Sequence, residues 1–205
     1  RPPSDVAYRN VLFLSLLSFL FIIAQNKELT ILHTSDTHSR IEPIDKNSSD
    51  KYAGMGGVAR RAAYIQEKRT QDPDLLLFDC GDFCQGTPFY NFFKGEIEVE
   101  MMNKMNYTAA TIGNHEFDFG LENLANLIKK AEFPIVCINY DVKNTPLDGL
   151  VKPYIILERK GIKIGVFGVS PILEGLVQTE NYECVSFHDP IPLANAIALK
   201  LKKED

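Results

Sequence analysis

The sequence predicts an α/β domain built in layers, and three observations carry that prediction. From Glu28 onward, short apolar runs alternate with segments whose apolar residues recur at helical spacing. Past Ile138 the rhythm changes to two runs around a Lys160-Gly161 pair, which reads as an antiparallel hairpin with a tight turn. The chain has 205 residues, 45% of them hydrophobic, enough for one sizeable domain, and no linker or internal repeat divides it. Sheet with helices over both faces is the layered architecture that suits such a pattern.

Each element follows in order. Leu29 to Thr34 (LTILHT) reads as a buried strand, with His33 a hydrogen-bonded core residue inside it. Gly57 to Gln71 is an amphipathic helix, with Val58, Ala62 and Ile65 on one side and Arg61, Lys68 and Arg69 elsewhere. Asp72 and Pro73 break the chain before the next strand, Leu75 to Asp79. Pro88 to Asn106 forms two helical pieces separated by Gly95. Thr108 to Ile112 is a strand, Leu121 to Ala131 a helix and Ile135 to Ile138 a strand. Tyr154 to Glu158 and Ile162 to Val169 are the arms of the hairpin, and Tyr182 to Phe187 is one more short strand. A last helix, from about Pro192 to Lys202, turns Leu193, Ala196, Ile197 and Leu199 to one side; His188 sits in the connection leading to it.

Ahead of the domain, Arg9 precedes an uncharged apolar run, Val11 to Ala24, which ends on a small residue. Basic start, short apolar core and small final residue are the layout of a secretory signal. The run is short for a membrane span, which needs about 20 residues. Residues 1–24 are therefore expected to be a signal peptide, removed or kept as an anchor, with residues 25–205 as the domain. Export to a periplasmic or extracellular location follows, with membrane contact only through an uncleaved signal.

Net charge is −5 and no block of basic residues is present, which argues against a nucleic-acid polymer as partner. A small phosphorylated substrate is compatible with that charge if bound divalent cations supply the positive field. Cys80, Cys84, Cys137 and Cys184 match no zinc-finger spacing, and unpaired thiols are expected; a Cys80–Cys84 bridge across their loop is the alternative.

Three loops at three strand ends hold the chemistry. In SDTHSR, Ser35 to Arg40, Asp36 and His38 are two apart and project to one side if strand geometry continues. A carboxylate and an imidazole together suit a divalent metal, although a single Asp-x-His is ordinary polar surface in most loops. In FDCGDFCQGTP, Phe78 to Pro88, Gly81 permits a tight turn and Asp82 follows at once, while Asp79 reads as a hydrogen-bonding support. In ATIGNHEFDFG, Ala110 to Gly120, an amide, an imidazole and two carboxylates follow an apolar strand. Polar groups that dense are costly to desolvate unless something satisfies them. Asn114 offers a neutral carbonyl oxygen to a metal, His115 a proton or hydrogen bond to a phosphate oxygen, and Asp118 can hold the imidazole's other nitrogen.

D-x-H, then G-D, then G-N-H-E resembles the signature of the calcineurin-like metallophosphoesterases. The longer forms ILHTSDTHSR, GDFCQGTP, GNHEFDFG and GMGGVARRAAYI are similar to the 5′-nucleotidase and UDP-sugar hydrolase branch, over roughly Glu28 to the C-terminus. The resemblance implies a layered sandwich of mixed β-sheets flanked by helices, incomplete here at its C-terminus. It implies a phosphoesterase acting on nucleotide phosphate esters through a water activated by two divalent metal ions, of the Zn, Mn or Mg kind. Asp36 and His38 would bind the first ion, Asp82 would bridge the two and Asn114 would bind the second. His115 and Asp118 would be catalytic, the imidazole stabilising phosphate charge and the carboxylate orienting it.

The chain departs from that family in two respects. The family's further histidines, one in a G-H element and two in G-H-x-H, have no counterpart among the four histidines here. Its separate nucleotide-binding domain, needed in cis or in trans, is absent as well. The expectation is the N-terminal part of a longer enzyme, or a truncated product that binds metal or a partner without turnover. A related cyclic-nucleotide phosphodiesterase or sulfur-ester hydrolase is not excluded by any residue present.

Overall fold

The computed structural model describes residues 27–203; the Val11 to Ala24 run, and the signal peptide expected there, lie outside the described residues. In the first half the elements keep the predicted order: β1 (Ile31–Thr34), α1 (Val58–Gln71), β2 (Leu76–Asp79), α2 (Pro88–Phe93), α3 (Glu96–Lys104), β3 (Ala109–Ala110), α4 (Gly120–Lys130) and β4 (Ile135–Val136). The expected break between two helical pieces falls at Lys94 and Gly95, both with positive φ. After β4 come β5 (Tyr140–Asp141) and β6 (Val151–Lys152), neither anticipated from the sequence. The hairpin is β7 (Ile155–Arg159) and β8 (Ile162–Val166), turning on Lys160 and Gly161, whose φ of 52 and 68 suit the tight turn that matches strand twist. Of the strand expected over Tyr182 to Phe187 only β9 (Ser186–Phe187) forms, because the chain first makes a 3-10 turn at Thr179–Asn181 and then a left-handed kink at Cys184. The last helix, α5 (Pro190–Leu201), starts two residues before its expected position, capped by the Asp189 side chain on the Ile191 N–H.

β1, β2, β3, β4 and β6 make one parallel sheet in that spatial order. Strands 1 to 4 sit side by side in chain order, and right-handed crossovers between such neighbours put every connecting helix on one face. The core agrees: Ile65 of α1, Val99 and Met102 of α3, and Leu124, Ala125 and Leu127 of α4 join Leu77, Ala110 and Ile135 of the strands in one apolar cluster. Removing a side chain as enclosed as Leu77 typically costs about 2–5 kcal/mol. Lys68 and Arg69 close α1 where the helix dipole favours cations.

The opposite face is covered only in part, unlike the expectation for both faces. It buries Leu76, Ala109 and Val136, and the stretch after β8 runs against it, so close that a Cβ on Gly168 would lie 2.2 Å from the Val136 carbonyl. A groove of about 270 Å³ remains between Phe78, Ala109 and Val136 and the Val166 to Val169 stretch. His33 lies on this face in β1, which has a single neighbour in the sheet, and is exposed rather than buried; so is Ile31, at 55%. All four cysteines are free thiols, Cys84 and Cys137 buried, Cys80 and Cys184 exposed. Among the described residues no helix is long and apolar enough to cross a membrane.

The strand register sets up everything that follows. Thr34 pairs with Asp79, Asp79 with Ala110 and Ala110 with Ile135. The C-terminal ends of β1, β2 and β3 therefore lie in one row, and all three polar loops leave the sheet from the same edge.

Candidate metal centre

The first two loops are laced together through their backbones. The N–H groups of Asp36, His38 and Ser39 donate to the carbonyls of Gly81, Asp82 and Phe83 at 3.1, 3.0 and 2.9 Å. Strand geometry ends at Thr34, so Asp36 and His38 are not aligned by the alternation the sequence suggested. Instead Asp36, His38 and Asp82 each take a left-handed conformation, with φ of 53, 45 and 54. Side chains with a Cβ seldom adopt that region, at a cost of about 1–2 kcal/mol each. Strained backbone of this kind collects at functional sites, where the surrounding bonds hold it.

The result is a convergence of three donors. One ligand atom each from Asp36, His38 and Asp82 lies within 4.8 Å of the others. His38 Nε2 is 3.9 Å from Asp36 Oδ1, and the Asp36 side chain is 64% exposed, open to an incoming ion. Nδ1 of His38 is buried and without a hydrogen-bond partner. Two carboxylates and an imidazole suit a borderline or hard divalent cation, so the residues present fit one. The Gly86 backbone seals the other side, where a Cβ would come 3.1 Å from the His38 Cβ.

The third loop closes onto the second by direct contact of their glycines. A Cβ on Gly113 would lie 2.1 Å from Asp82 Oδ1, and one on Gly81 would lie 2.5 Å from the Gly113 nitrogen. No other residue fits either position without moving a loop. Asp82 Oδ1 in turn accepts the His115 backbone N–H at 3.0 Å. Asn114 begins the 3-10 turn His115–Phe117, beside the residue that contacts Asp82. The rings of His38 and His115 meet edge to face, their centroids 5.2 Å apart. His115 Nδ1 lies 2.9 Å from Asp118 Oδ2, the pairing expected from their spacing. Tyr90 of α2 donates its hydroxyl to the His115 carbonyl, and Asn181 donates its amide to the Asp118 carbonyl, so the turn is held from both flanks.

Two buried carboxyls support the edge from within. Asp79 accepts from the Thr34 hydroxyl at 2.5 Å and the Gly81 N–H at 2.9 Å, the supporting role expected of it. Burial pushes its pKa up to about 6, against those hydrogen bonds and the nearby Arg61 charge. Glu116 is 0% exposed and accepts three backbone N–H groups: Asp82 at 3.0 Å, Cys84 at 3.1 Å and Gly113 at 2.7 Å. Burial raises it to about 7, with the Asp82 charge adding to the rise and the three donors opposing it. In the sequence Glu116 stands within the third motif with no role assigned to it. The available signal was an acid, three residues after a glycine, that follows a strand too apolar to leave a carboxylate unsatisfied. Of the remaining histidines, His188 is exposed and its N–H donates to the Asn139 carbonyl, in the connection to α5 as expected.

The profile of the calcineurin-like phosphoesterase family matches residues 29–205. The chain is similar to the snake venom 5′-nucleotidase of Crotalus adamanteus, 42% identical over 174 residues, covering 82% of this chain and 29% of that protein. It is 40% identical over 164 residues to the Homo sapiens 5′-nucleotidase, covering 77% of this chain and 29% of that protein. Among solved structures, a 5′-nucleotidase precursor from Thermus thermophilus superposes with a TM-score of 0.76 at 33% identity, over 86% of this chain and 35% of that one. The chain thus spans under a third of the length of the two nucleotidases it matches in sequence.

Proposed function

The chain belongs to the calcineurin-like phosphoesterase family, and from that premise we propose that it carries the metal-holding part of an exported, 5′-nucleotidase-like phosphoesterase that hydrolyses nucleotide phosphate esters. One observation carries the reading: Asp36, His38 and Asp82 converge within 4.8 Å, with the His115–Asp118 pair against the same edge. Asp36 and His38 would hold one divalent cation, Asp82 would bridge to a second, and Asn114 would add its carbonyl oxygen to that second ion. When bound, such cations neutralise phosphoryl oxygens and lower the pKa of an attacking water. The apolar run from Val11 to Ala24 supports export.

The chain's own groups do the rest. Asp118 accepts from Nδ1 of His115 and so fixes which face of the imidazole is free. Nε2 is the nitrogen left for substrate, and a proton held there is donated to a phosphoryl or leaving oxygen as charge builds on it. The substrate class comes from the relatives, whose printed names are 5′-nucleotidase. Asp82 and Asn114 alone are a poor donor set, so the second cation binds weakly to the residues described, and a nucleotide-binding domain acting in cis or in trans would complete the pocket.

Cation binding measured by calorimetry with Mn²⁺ or Zn²⁺, beside phosphate release from a nucleoside 5′-monophosphate, tests this. Metal-dependent release that stops on chelation is expected. One ion per chain without release favours a binding remnant, and a folded chain that takes up neither metal contradicts the reading.

A further inference from the structure

Among the described residues, Glu116 is the fully buried charge-bearing side chain that reaches both of the loops facing each other at the metal edge, and metal and substrate do not account for it. Its carboxylate satisfies the N–H groups of Asp82 and Cys84 in the loop after β2 and of Gly113 in the loop after β3. Those three donors sit where the chain turns on Gly81 and Asp82, both at positive φ, or runs against them at Gly113, so no strand partner is available. Leaving one of them unpaired in the interior costs about as much as a lost buried hydrogen bond. Only an acceptor-only group serves all three at once. A carboxylate has two oxygens and about four lone-pair sites, whereas an amide would turn two donors of its own toward one of these N–H groups.

The second half of the arrangement runs the other way. Glu116 follows His115 directly, and the His115 N–H donates to Asp82 Oδ1 at 3.0 Å. Asp82 is thereby held at both ends by adjacent residues of one turn: its backbone by the Glu116 carboxylate, its carboxylate by the His115 backbone. We propose that Glu116 is the positioning residue of this site, locking the Asp82 carboxylate and the His115 imidazole into one rigid unit so that cation and phosphate are met in fixed register. This rests on the phosphoesterase reading for what is positioned, and on the hydrogen bonds alone for the lock. Phe83, Val99, Ile112 and Leu124 line a small apolar cavity with Glu116, which is 0% exposed, so bulk water does not replace its carboxylate as an acceptor.

The test combines amide hydrogen exchange on the metal-free chain with Mn²⁺ binding by calorimetry, in the parent protein, Glu116→Gln and Leu147→Ala. Leu147 is 0% exposed and lies in the connection between β5 and β6, outside the three loops, so its truncation removes core packing without removing any hydrogen bond to them. In the parent, the Asp82, Cys84 and Gly113 amides are expected to exchange as slowly as those of β2. In Glu116→Gln they should exchange at least ~10-fold faster relative to β2, and Mn²⁺ affinity should fall ~10–100-fold, the usual loss when the support of a ligand is removed. Leu147→Ala should leave both ratios unchanged. Fast exchange of the three amides in the folded parent overturns the lock without any variant, which covers the case in which Glu116→Gln does not fold. Mn²⁺ binding that Glu116→Gln weakens no more than Leu147→Ala does overturns the positioning role while leaving the phosphoesterase reading intact. Binding of neither Mn²⁺ nor Zn²⁺ by the parent, with the exchange pattern as expected, instead overturns that reading and takes the positioning role with it.

Discussion

The loop edge of the parallel sheet and the region of the β7–β8 hairpin and α5 are built from the same apolar alternation, yet they end in opposite states. At the edge, Asp79 and Glu116 are buried, Asp36, His38, Ser39, Asp82 and Gln85 hold left-handed backbone, and each loop is bonded to the next. In the hairpin and α5, Ile156 is 48% exposed, Ile191 70% and Leu199 61%, and no residue of α5 is buried. The edge keeps its two carboxyls inside because neighbouring N–H and hydroxyl groups satisfy them, while the hairpin region leaves apolar groups outside because nothing described covers them. Order at the edge is therefore set by hydrogen bonds, which are directional, and not by apolar area, which is not.

That contrast is broken or sharpened by graded substitution. The largest effect is expected for Asp82→Ala, which removes the group shared between the two proposed cations. Cation binding should vanish from the calorimetric trace and phosphate release with it. Next is His115→Ala, which should keep the cations and lose roughly 10²–10⁴-fold in kcat, the usual worth of a general acid; an unchanged kcat would remove its role. Asp118→Asn keeps the shape of the pair but not its charge, and should fall between His115→Ala and the parent in the same assay.

Smaller again is the response to pH of the metal-free chain. Asp79 and Glu116 have folded pKa values of about 6 and about 7, above their ordinary values near 4. The folded state therefore binds their protons more tightly than the unfolded state does. Stability is greatest below about pH 4 and is lost as pH rises through 6 to 7, by roughly 3 kcal/mol for each carboxyl at most. Urea melts at pH 4.5 and 7.5 read this directly, and stability that rises across that window would contradict the burial of both groups. Smallest is Leu199→Lys on the exposed side of α5, expected to shift stability by no more than about 0.5 kcal/mol.

Much of the edge is legible in the sequence and rather less of the opposite side. Asp36, His38, Asp82, Asn114, His115 and Asp118 are visible because each follows an apolar run, and because chemistry-bearing side chains are few and clustered. Their convergence is not visible, since it depends on the Thr34–Asp79–Ala110 register and on left-handed turns at residues with a Cβ. Glu116 is marked only by its place three residues after the glycine that ends an apolar strand, because its partners are backbone N–H groups, two of them in another loop. β6 escapes for a different reason: two residues of extended chain show no period, and Val151–Lys152 becomes a strand only by pairing with β4. His33 reads as core from its apolar neighbours, but alternation in a strand with one sheet neighbour turns it to the open face.

The histidines themselves offer the most direct test of the convergence. Titrating the chain with Mn²⁺ while following imidazole resonances should broaden His38 and His115, whose rings are 5.2 Å apart, at low metal. His33 and His188, both exposed and outside the group of three donors, should broaden less at the same concentration. Equal broadening of all four, or broadening of His33 or His188 first, would contradict the placement of a cation between Asp36, His38 and Asp82.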